Sequence, residues 1–475
     1  MTENSANNTT SQSLIFDDAL IKRYDKAGPR YTSYPTAVQF HENFGEENYK
    51  QFCQKSNELS RAASSPTPLS LYFHIPFCDT VCFYCGCNKV VTKDRTKAAP
   101  YLARVHKEIA MQAAMFDDNR IVDQLHWGGG TPTFISHDEM RELMDVTRKH
   151  FTLHDDDTGE YSIELDPREV DASSIKLLRE LGFNRISLGV QDFDEKVQKA
   201  VNRIQSEEET LAVINAARDN SFKSISLDLI YGLPFQNVER FSITLNKIIE
   251  ASPDRLSVFN YAHLPEMFKP QRRINEADLP SAAEKLDILK MSFAKLKEAG
   301  YVYIGMDHFA KPDDELAIAQ REGTLYRNFQ GYSTHADCDL IAMGITSIGQ
   351  VANSYSQNVK KMDEYFALID AGKLPVYRGV ELSDDDILRR EIITQLISHF
   401  HLDFGKIESQ FSIDFRAYFS QEITALKTMH TDGLLTLTDE GISVAAKGRL
   451  LIRNICMVFD YYLRQASEQR FSKVI

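Results

Sequence analysis

Six short stretches dense in apolar residues recur through the middle of the chain, at 69–75, 122–127, 161–165, 185–190, 224–230 and 255–261. Between them lie segments whose apolar positions return every three to four residues, such as 101–115, 137–150, 172–181, 208–220 and 238–251. Six strand-then-helix units predict a parallel sheet with right-handed crossovers. Eight would close a full barrel, so six predict an open, partial one. Residues 301–306 supply a candidate further strand.

The flanks differ. Residues 1 to about 12 are rich in Asn, Ser and Thr and are expected to be disordered. A helix is expected near 17–24, an irregular stretch at 27–36 around Gly28, Pro29 and Pro35, and a linker at 60–68. The stretch 325–348 contains Asn328-Phe329-Gln330-Gly331-Tyr332 and leads into 344–349. Further on, helical patterns at 386–400 and 407–428, a hairpin pattern at 432–437 and 441–444, and a last helix at 448–463 follow a helix–helix–wing order. The reading is an α/β chain: an N-terminal segment (1–60), a partial (β/α)6 TIM-type barrel (61–320), and a mostly helical, winged-helix-like C-terminal domain (321–475). The ordinary role for that last domain is a lid or packing element.

Chemistry-bearing residues fall at one place in each unit, at or just past the strand's end. Cysteines follow the first strand and Gly128-Gly129-Gly130-Thr131-Pro132 the second. Glu164, Asp166 and Arg168 close the third, and Gln191 and Asp192 the fourth. Asp228 lies late in the fifth; Asn260, Ala262 and His263 end the sixth. In barrel enzymes the active site is this C-terminal rim.

The cysteines run Cys78-Asp79-Thr80-Val81-Cys82-Phe83-Tyr84-Cys85-Gly86-Cys87. Thiolate selects zinc, copper(I) or iron–sulfur over hard cations. A [4Fe–4S] electron carrier uses four Cys, and structural zinc wants four ligands in two separated pairs. One tight C-x3-C-x2-C group fits neither well. Cys78, Cys82 and Cys85 read as ligands that leave one iron open, with Cys87 a separate feature; the rival is a zinc or redox site on all four. Cys53, Cys338 and Cys456 stand alone, and buried small apolar residues are the default for them. The glycine run has a plain alternative too, a strand-to-helix turn with Thr131 as N-cap.

Over 475 residues the formal net charge is −14, with 43% hydrophobic and 26% charged residues. An acidic chain is a poor default binder of nucleic acid. No apolar run reaches membrane-spanning length, and residues 1–10 carry no basic-then-apolar signal pattern. A cytoplasmic protein, acting as a monomer, is expected.

C-x3-C-x2-C with an aromatic before the last Cys resembles the radical S-adenosylmethionine (SAM) enzymes. HIPFC, CFYCGCNKVVT, LHWGGGTPT, IELDPRE, RISLGVQDF, DLIYGLP, RLSVFNYAHLP and KGRLLIRNICMVFD narrow this to a resemblance to the oxygen-independent coproporphyrinogen III oxidases (dehydrogenases) of haem biosynthesis. The match runs from about Gly28 to the C-terminus. It implies the radical SAM class of partial barrel, a [4Fe–4S] cluster on Cys78, Cys82 and Cys85, and two molecules of SAM. It implies SAM contacts at Gly129, Gly130, Thr131 and Glu164, and second-SAM contacts at Gln191, Arg203 and Asp228. Tyr72, Tyr84, Ala262 and Ile348 match further adenosyl-contact positions. Arg30 matches a segment that reaches over the active site, a substrate-side candidate; Cys87 matches a distinctive family position and is a catalytic candidate. The implied reaction cleaves SAM homolytically, removes a propionate β-hydrogen from coproporphyrinogen III, and loses CO2 and an electron. Two cycles give two vinyl groups, fed by an unidentified one-electron donor. The alternative is a haem-trafficking chaperone on the same scaffold, whose relatives typically lack the Cys87 position and the Arg30 segment.

Overall fold

The computed structural model describes residues 14–465; the expected disorder at 1–12 lies outside them. The chain divides into two compact units. One takes the chain up to Pro35, Tyr326–Tyr332 and Asp384 onward; the other takes Thr36–Leu325 and Ser333–Ser383.

The larger unit is built on the six expected parallel strands: β1 (Leu69–Ile75), β2 (Ile121–Gly129), β3 (Glu160–Leu165), β4 (Arg185–Gln191), β5 (Ser224–Tyr231) and β6 (Arg255–Asn260). Consecutive strands pair in parallel, from Tyr72 opposite His126 to Asp228 opposite Ser257. Crossover helices start where the residues dictate. Ser136 and Glu139 form a capping box ahead of His137–His150, Ser206 and Glu209 do so ahead of Glu207–Asp219, and Asn237 caps Val238–Ala251. Along β4 and β5 burial alternates. Ile186, Leu188, Val190, Ile225, Leu227 and Leu229 are closed off, while Ser187, Gly189, Gln191 and Asp228 are half-open. One face is therefore core and the other lines an interior.

The sheet does not stop at six. β7 (Val302–Gly305) and β8 (His308–Ala310) add antiparallel strands beside β6. On the far side β9 (Asp339–Met343) pairs in parallel with β1, Leu69 opposite Asp339 through Phe73 opposite Met343. β10 (Ile348–Val351), β11 (Ser354–Asn358) and β12 (Val376–Glu381) continue it antiparallel. This corrects the expected boundary at 320/321. Residues 339–358 and 376–381 are strands of this sheet with a helix, Met362–Asp370, between them, not part of a separate helical domain, because β9 is buried at every position and pairs its backbone with distant β1 on one side and β10 on the other. The expected linker at 60–68 is partly helix, since Glu46–Ala62 runs into it.

A buried ion pair seats β9. Arg120 and Asp339 are 2.5 Å apart, with side chains 0% and 9% exposed. Arg120 also donates to Thr67 O (2.8 Å), Ser56 Oγ (2.9 Å) and Asn57 Oδ1 (3.2 Å), and Asp339 accepts from Ala352 N (2.7 Å). Glu108 plays a matching part beyond β9: it accepts from Gly344 N (2.8 Å), Asn358 Nδ2 (2.8 Å) and Tyr365 OH (2.6 Å).

In the smaller unit, Asp384–His399, Phe404–Phe411 and Ser420–Thr431 are helices, and Leu435–Leu437, Gly441–Val444 and His401–Asp403 form a three-stranded wing. The expected single helix over 407–428 is broken at Ser412 (φ 54°) and restarted by Asp414, whose side chain caps Ala417 N. The last helix is likewise two, Ile452–Val458 and Tyr461–Gln465, with Asp460 accepting from Tyr462 N and Leu463 N at the break. Tyr31 OH donates to Asp460 (3.0 Å), and Arg453 donates to Pro29 O (3.0 Å) and Gly28 O. The expected N-terminal segment 1–60 is thus split, its first part held in this unit and Glu46–Ala62 in the other. Among the described residues no helix is long and apolar enough to cross a membrane.

Removing one partner of a buried pair strands the other charge. Arg120→Ala is expected to destabilise the larger unit by about 3–5 kcal/mol, read as a lowered urea midpoint; a shift within a few tenths of a kcal/mol would mean Asp339 is satisfied without it.

Candidate active site

The C-terminal ends of β1 to β5 surround a cavity of ≈ 240 Å³. Its wall includes Cys78, Cys82, Cys85 and Cys87, then Tyr84, Gly129, Gly130, Thr131, Glu164, Gln191, Arg203 and Asp228. These residues, all singled out from the sequence, share one concave surface with Asp166 and Arg168. Tyr72, Ala262 and Ile348 are not on this wall. Tyr72 stacks on His126 (5.8 Å between ring centroids, 13° between planes), Ala262 follows β6, and Ile348 opens β10. Arg30 belongs to the other unit.

Backbone lacing brings the cysteine and glycine loops together. Gly130 N donates to Ile75 O (2.9 Å) and Thr131 N to Phe77 O (2.7 Å). A Cβ on Gly130 would lie 2.6 Å from Phe77 O and 2.8 Å from the Pro76 carbonyl, so only glycine fits. Gly129 has φ +117° and would press on the His74 ring. Thr131 does not use its hydroxyl as a helix cap; Thr131 Oγ1 donates to Cys78 Sγ at 3.6 Å.

None of the seven cysteines is paired in a disulfide. Burial pushes the Cys78 thiol up to about 11, with the charges of Cys85 and Cys82 adding and Thr131 opposing. Cys85 is pulled down to about 5, first by the Cys87 thiol donating to it; burial opposes and the Lys89 ammonium helps. Lys89 Nζ also donates to Cys85 O (3.2 Å) and Cys87 O (3.3 Å). Among the described residues one trio of ligating atoms lies mutually within 4.8 Å, and it is not this one. The cysteine sulfurs are spread wider than a single zinc ion with ≈ 2.3 Å bonds allows.

Opposite the thiols stand charged groups. Arg203 Nη1 donates to Asp166 Oδ2 (2.9 Å) and Cys82 Sγ (3.6 Å), and its Nη2 to Gly189 O (2.5 Å). Asp166 also pairs with Arg168 (2.7 Å). Glu164 accepts from Gly129 N (3.2 Å), with His126 Nε2 3.5 Å away. Its side chain opens into the cavity, yet low-dielectric walls surround it. Burial alone would raise its carboxyl; the hydrogen bond and charge of His126, with Gly129 N–H, bring it below the ordinary range. Asp228 is pushed up to about 6 by burial, the Glu164 charge adding, Ser257 and Ser187 opposing. Gln191 sits at a register shift with φ +69°, and its Oε1 is buried with no hydrogen-bond partner among the described residues. A strained residue with an unmet acceptor facing a cavity is a mark of a binding site.

Residues without a sequence motif support this surface from behind and beside it. Gln271, 2% exposed, donates to Tyr84 O (2.9 Å) and Ala262 O (3.2 Å), tying the cysteine loop to the end of β6. Arg95 bridges Asp79 (2.6 Å) and Glu169 (3.0 Å) beside the cavity. Ser187 had a signal, the alternation along β4; Gln271 and Arg95 lie in short 3-10 helices and had none. Asp192 turns away from the cavity, accepting from Gln236 Nε2 (2.6 Å) and Thr244 Oγ1 (2.5 Å).

Comparison with known proteins agrees with this geometry. Residues 72–248 match the radical SAM superfamily model and 382–451 the HemN C-terminal domain model. The oxygen-independent coproporphyrinogen III oxidase of Pseudomonas aeruginosa is 54% identical over 462 residues, covering 97% of this chain and 99% of that protein. That of Escherichia coli is 50% identical over 465 residues, covering 98% and 99%. A solved structure of coproporphyrinogen III oxidase (HemN) from Escherichia coli, described as a radical SAM enzyme, superposes with a TM-score of 0.89 at 48% identity, covering 95% of this chain and all of that one. A rim of three cysteines, a glycine-laced loop and inward carboxylates, on a chain that matches those relatives nearly end to end, places it in one family: it belongs to the oxygen-independent coproporphyrinogen III oxidases of the radical SAM superfamily.

Proposed function

We propose that this chain oxidatively decarboxylates two propionate side chains of coproporphyrinogen III to vinyl groups, giving protoporphyrinogen IX, with the rim cavity as the reaction site. One observation carries the reading: three cysteines share a single wall with Glu164, Gln191 and Asp228 at the C-terminal rim of a parallel sheet. The haem-trafficking alternative is set aside, since relatives that match almost end to end carry the enzyme's name.

The family's cofactors are a [4Fe–4S] cluster and SAM, and the residues present suit both. Cys78, Cys82 and Cys85 would hold the cluster; Cys87, whose thiol donates to Cys85, is left over. Bound together, the two supply electron transfer to a sulfonium and a hydrogen-abstracting carbon radical. Thr131 and Arg203 point donors at Cys78 and Cys82, and such contacts to ligand sulfur tune a cluster's potential. Glu164, held charged, suits an ammonium or ribose hydroxyl. Asp228 and the unmet Gln191 Oε1 suit a second cationic nucleotide on the same wall. Asp166 and Gly189 O hold Arg203 in place. It therefore acts on Cys82 and on the cavity's charge from a fixed position. Arg30 is the candidate partner for a substrate carboxylate. Each cycle breaks one C–H and one C–C bond, releases CO2 and passes one electron to an acceptor, while a one-electron donor from outside the chain starts it. Cytoplasmic action as a monomer completes the proposal.

The test is anaerobic reconstitution with iron, sulfide, a strong reductant, SAM and coproporphyrinogen III. Formation of both 5′-deoxyadenosine and a divinyl tetrapyrrole is expected; tight haem retention without product would return the chaperone reading.

Three variants divide the roles. Cys82→Ala is expected to lose cluster iron and turnover together, measured by iron and sulfide analysis alongside product; SAM cleavage surviving in it would overturn the ligand assignment. Cys87→Ser is expected to keep the cluster and SAM cleavage, and losing the iron would make Cys87 a ligand. Asp228 serves a cation only when ionised, so SAM affinity should weaken as pH falls through about 6, approaching tenfold per pH unit below it. Asp228→Asn should bind weakly and flatten that dependence in equilibrium dialysis; an unchanged profile would remove Asp228 from the site.

A further inference from the structure

The N-terminal ends of the strands carry a second group of ligating side chains, which the rim chemistry does not use. Asp123, near the start of β2, and His335 and Cys338, in the loop entering β9, bring three ligating atoms within 4.8 Å of one another. All three are half-buried. Gly129, at the active rim, lies six residues further along β2, roughly 20 Å at ≈ 3.3 Å per residue. The trio is therefore separate from the rim cavity.

We propose that Asp123, His335 and Cys338 bind one divalent transition-metal ion of the zinc class, with solvent as fourth ligand, clipping the loop before β9 to the base of β2. The donor set argues for that class. One thiol, one imidazole and one carboxylate suit zinc or a neighbouring first-row ion, whereas calcium and magnesium call for oxygen alone. Two ligands already have outer partners: His154 Nε2 lies 2.8 Å from Asp123 Oδ1, and Glu160 Oε2 lies 3.7 Å from His335 Nε2. Such partners orient ligands in built metal sites. The local field favours a cation, since the Cys338 thiol faces the charges of Asp337, Asp123, Asp339 and Glu160. Geometry supports a clip: the residue after Cys338 is Asp339, already anchored to Arg120 and paired beside β1, so an ion here would secure the strand's entry. Cys338 is then no inert apolar residue, the role its isolation in the sequence suggests.

Cobalt(II) is the probe, added without oxygen to full-length protein whose Cys78, Cys82, Cys85 and Cys87 are changed to Ser, so that no rim thiol competes. One equivalent is expected to bind and give a thiolate-to-cobalt charge-transfer band in the near ultraviolet. Adding Cys338→Ser should abolish the band, and adding His335→Gln should weaken binding about tenfold or more. No band, or a band unchanged by Cys338→Ser, would overturn the proposal. A second measurement needs no substitution. In the cluster-loaded enzyme, zinc should slow maleimide labelling of Cys338, followed by peptide mass spectrometry, and an unchanged labelling rate would count equally against the site.

Discussion

Parallel pairing on both sides of β1 is the constraint on which the rest depends. β1 lies between β2 and β9, and its end runs directly into the cysteine loop. Parallel strands end on the same side, so every βα loop arrives at one rim and every strand-end side chain faces one interior. The backbone bonds from Gly130 to Ile75 and from Thr131 to Phe77 extend that register past the strands into the loops. The cysteines are placed by main-chain hydrogen bonds before any ligand acts on them. The glycines are needed first because two backbones meet there, and only then because a ligand must come close.

Electrostatics at the rim follows from the same placement. Burial resists ionisation of the Cys78 thiol, while the Cys87 thiol and Lys89 favour it at Cys85, so ligand thiols on one half-buried wall are pulled in opposite directions. A cationic metal cluster resolves that conflict. The arginines answer it in part: Asp166 holds both Arg168 and Arg203, and Arg203 reaches Cys82 from that anchored position. Glu164 and Asp228 then experience different surroundings on one wall, one held charged by His126 and Gly129 N–H, the other pushed toward its neutral form by burial and by Glu164 itself. Two carboxylates of similar chemistry thereby acquire different affinities for cationic ligands.

Much of this was legible residue by residue. The three-cysteine spacing has few chemical readings, and Glu164, Gln191 and Asp228 stood out because polar side chains at the ends of apolar runs need a reason. Strand and helix positions followed from period and caps, with β1 and the helices His137–His150 and Val238–Ala251 matching residue for residue. Other features had no local signature. β9 is five residues long and the parallel partner that seats it in the sheet lies far upstream, so no local pattern announces that pairing. Ser412 and Asp460 break helices whose apolar period runs on through them. Gln271 sits in a short 3-10 helix, and its worth lies in the two carbonyls it meets.

By itself the sequence determined the chemistry and the repeating unit: which side chains can bind soft metal or cationic groups, and that strands alternate with helices to bring them to one rim. These are properties of single residues and of spacings within a few turns of chain. Tertiary structure alone decided how far the sheet extends, which unit the N-terminal segment joins, how Arg203 and Gln271 are engaged, and that Asp123, His335 and Cys338 meet. Each of these depends on contacts between segments distant along the chain, whose pairing is set by the burial of whole faces rather than by any local pattern.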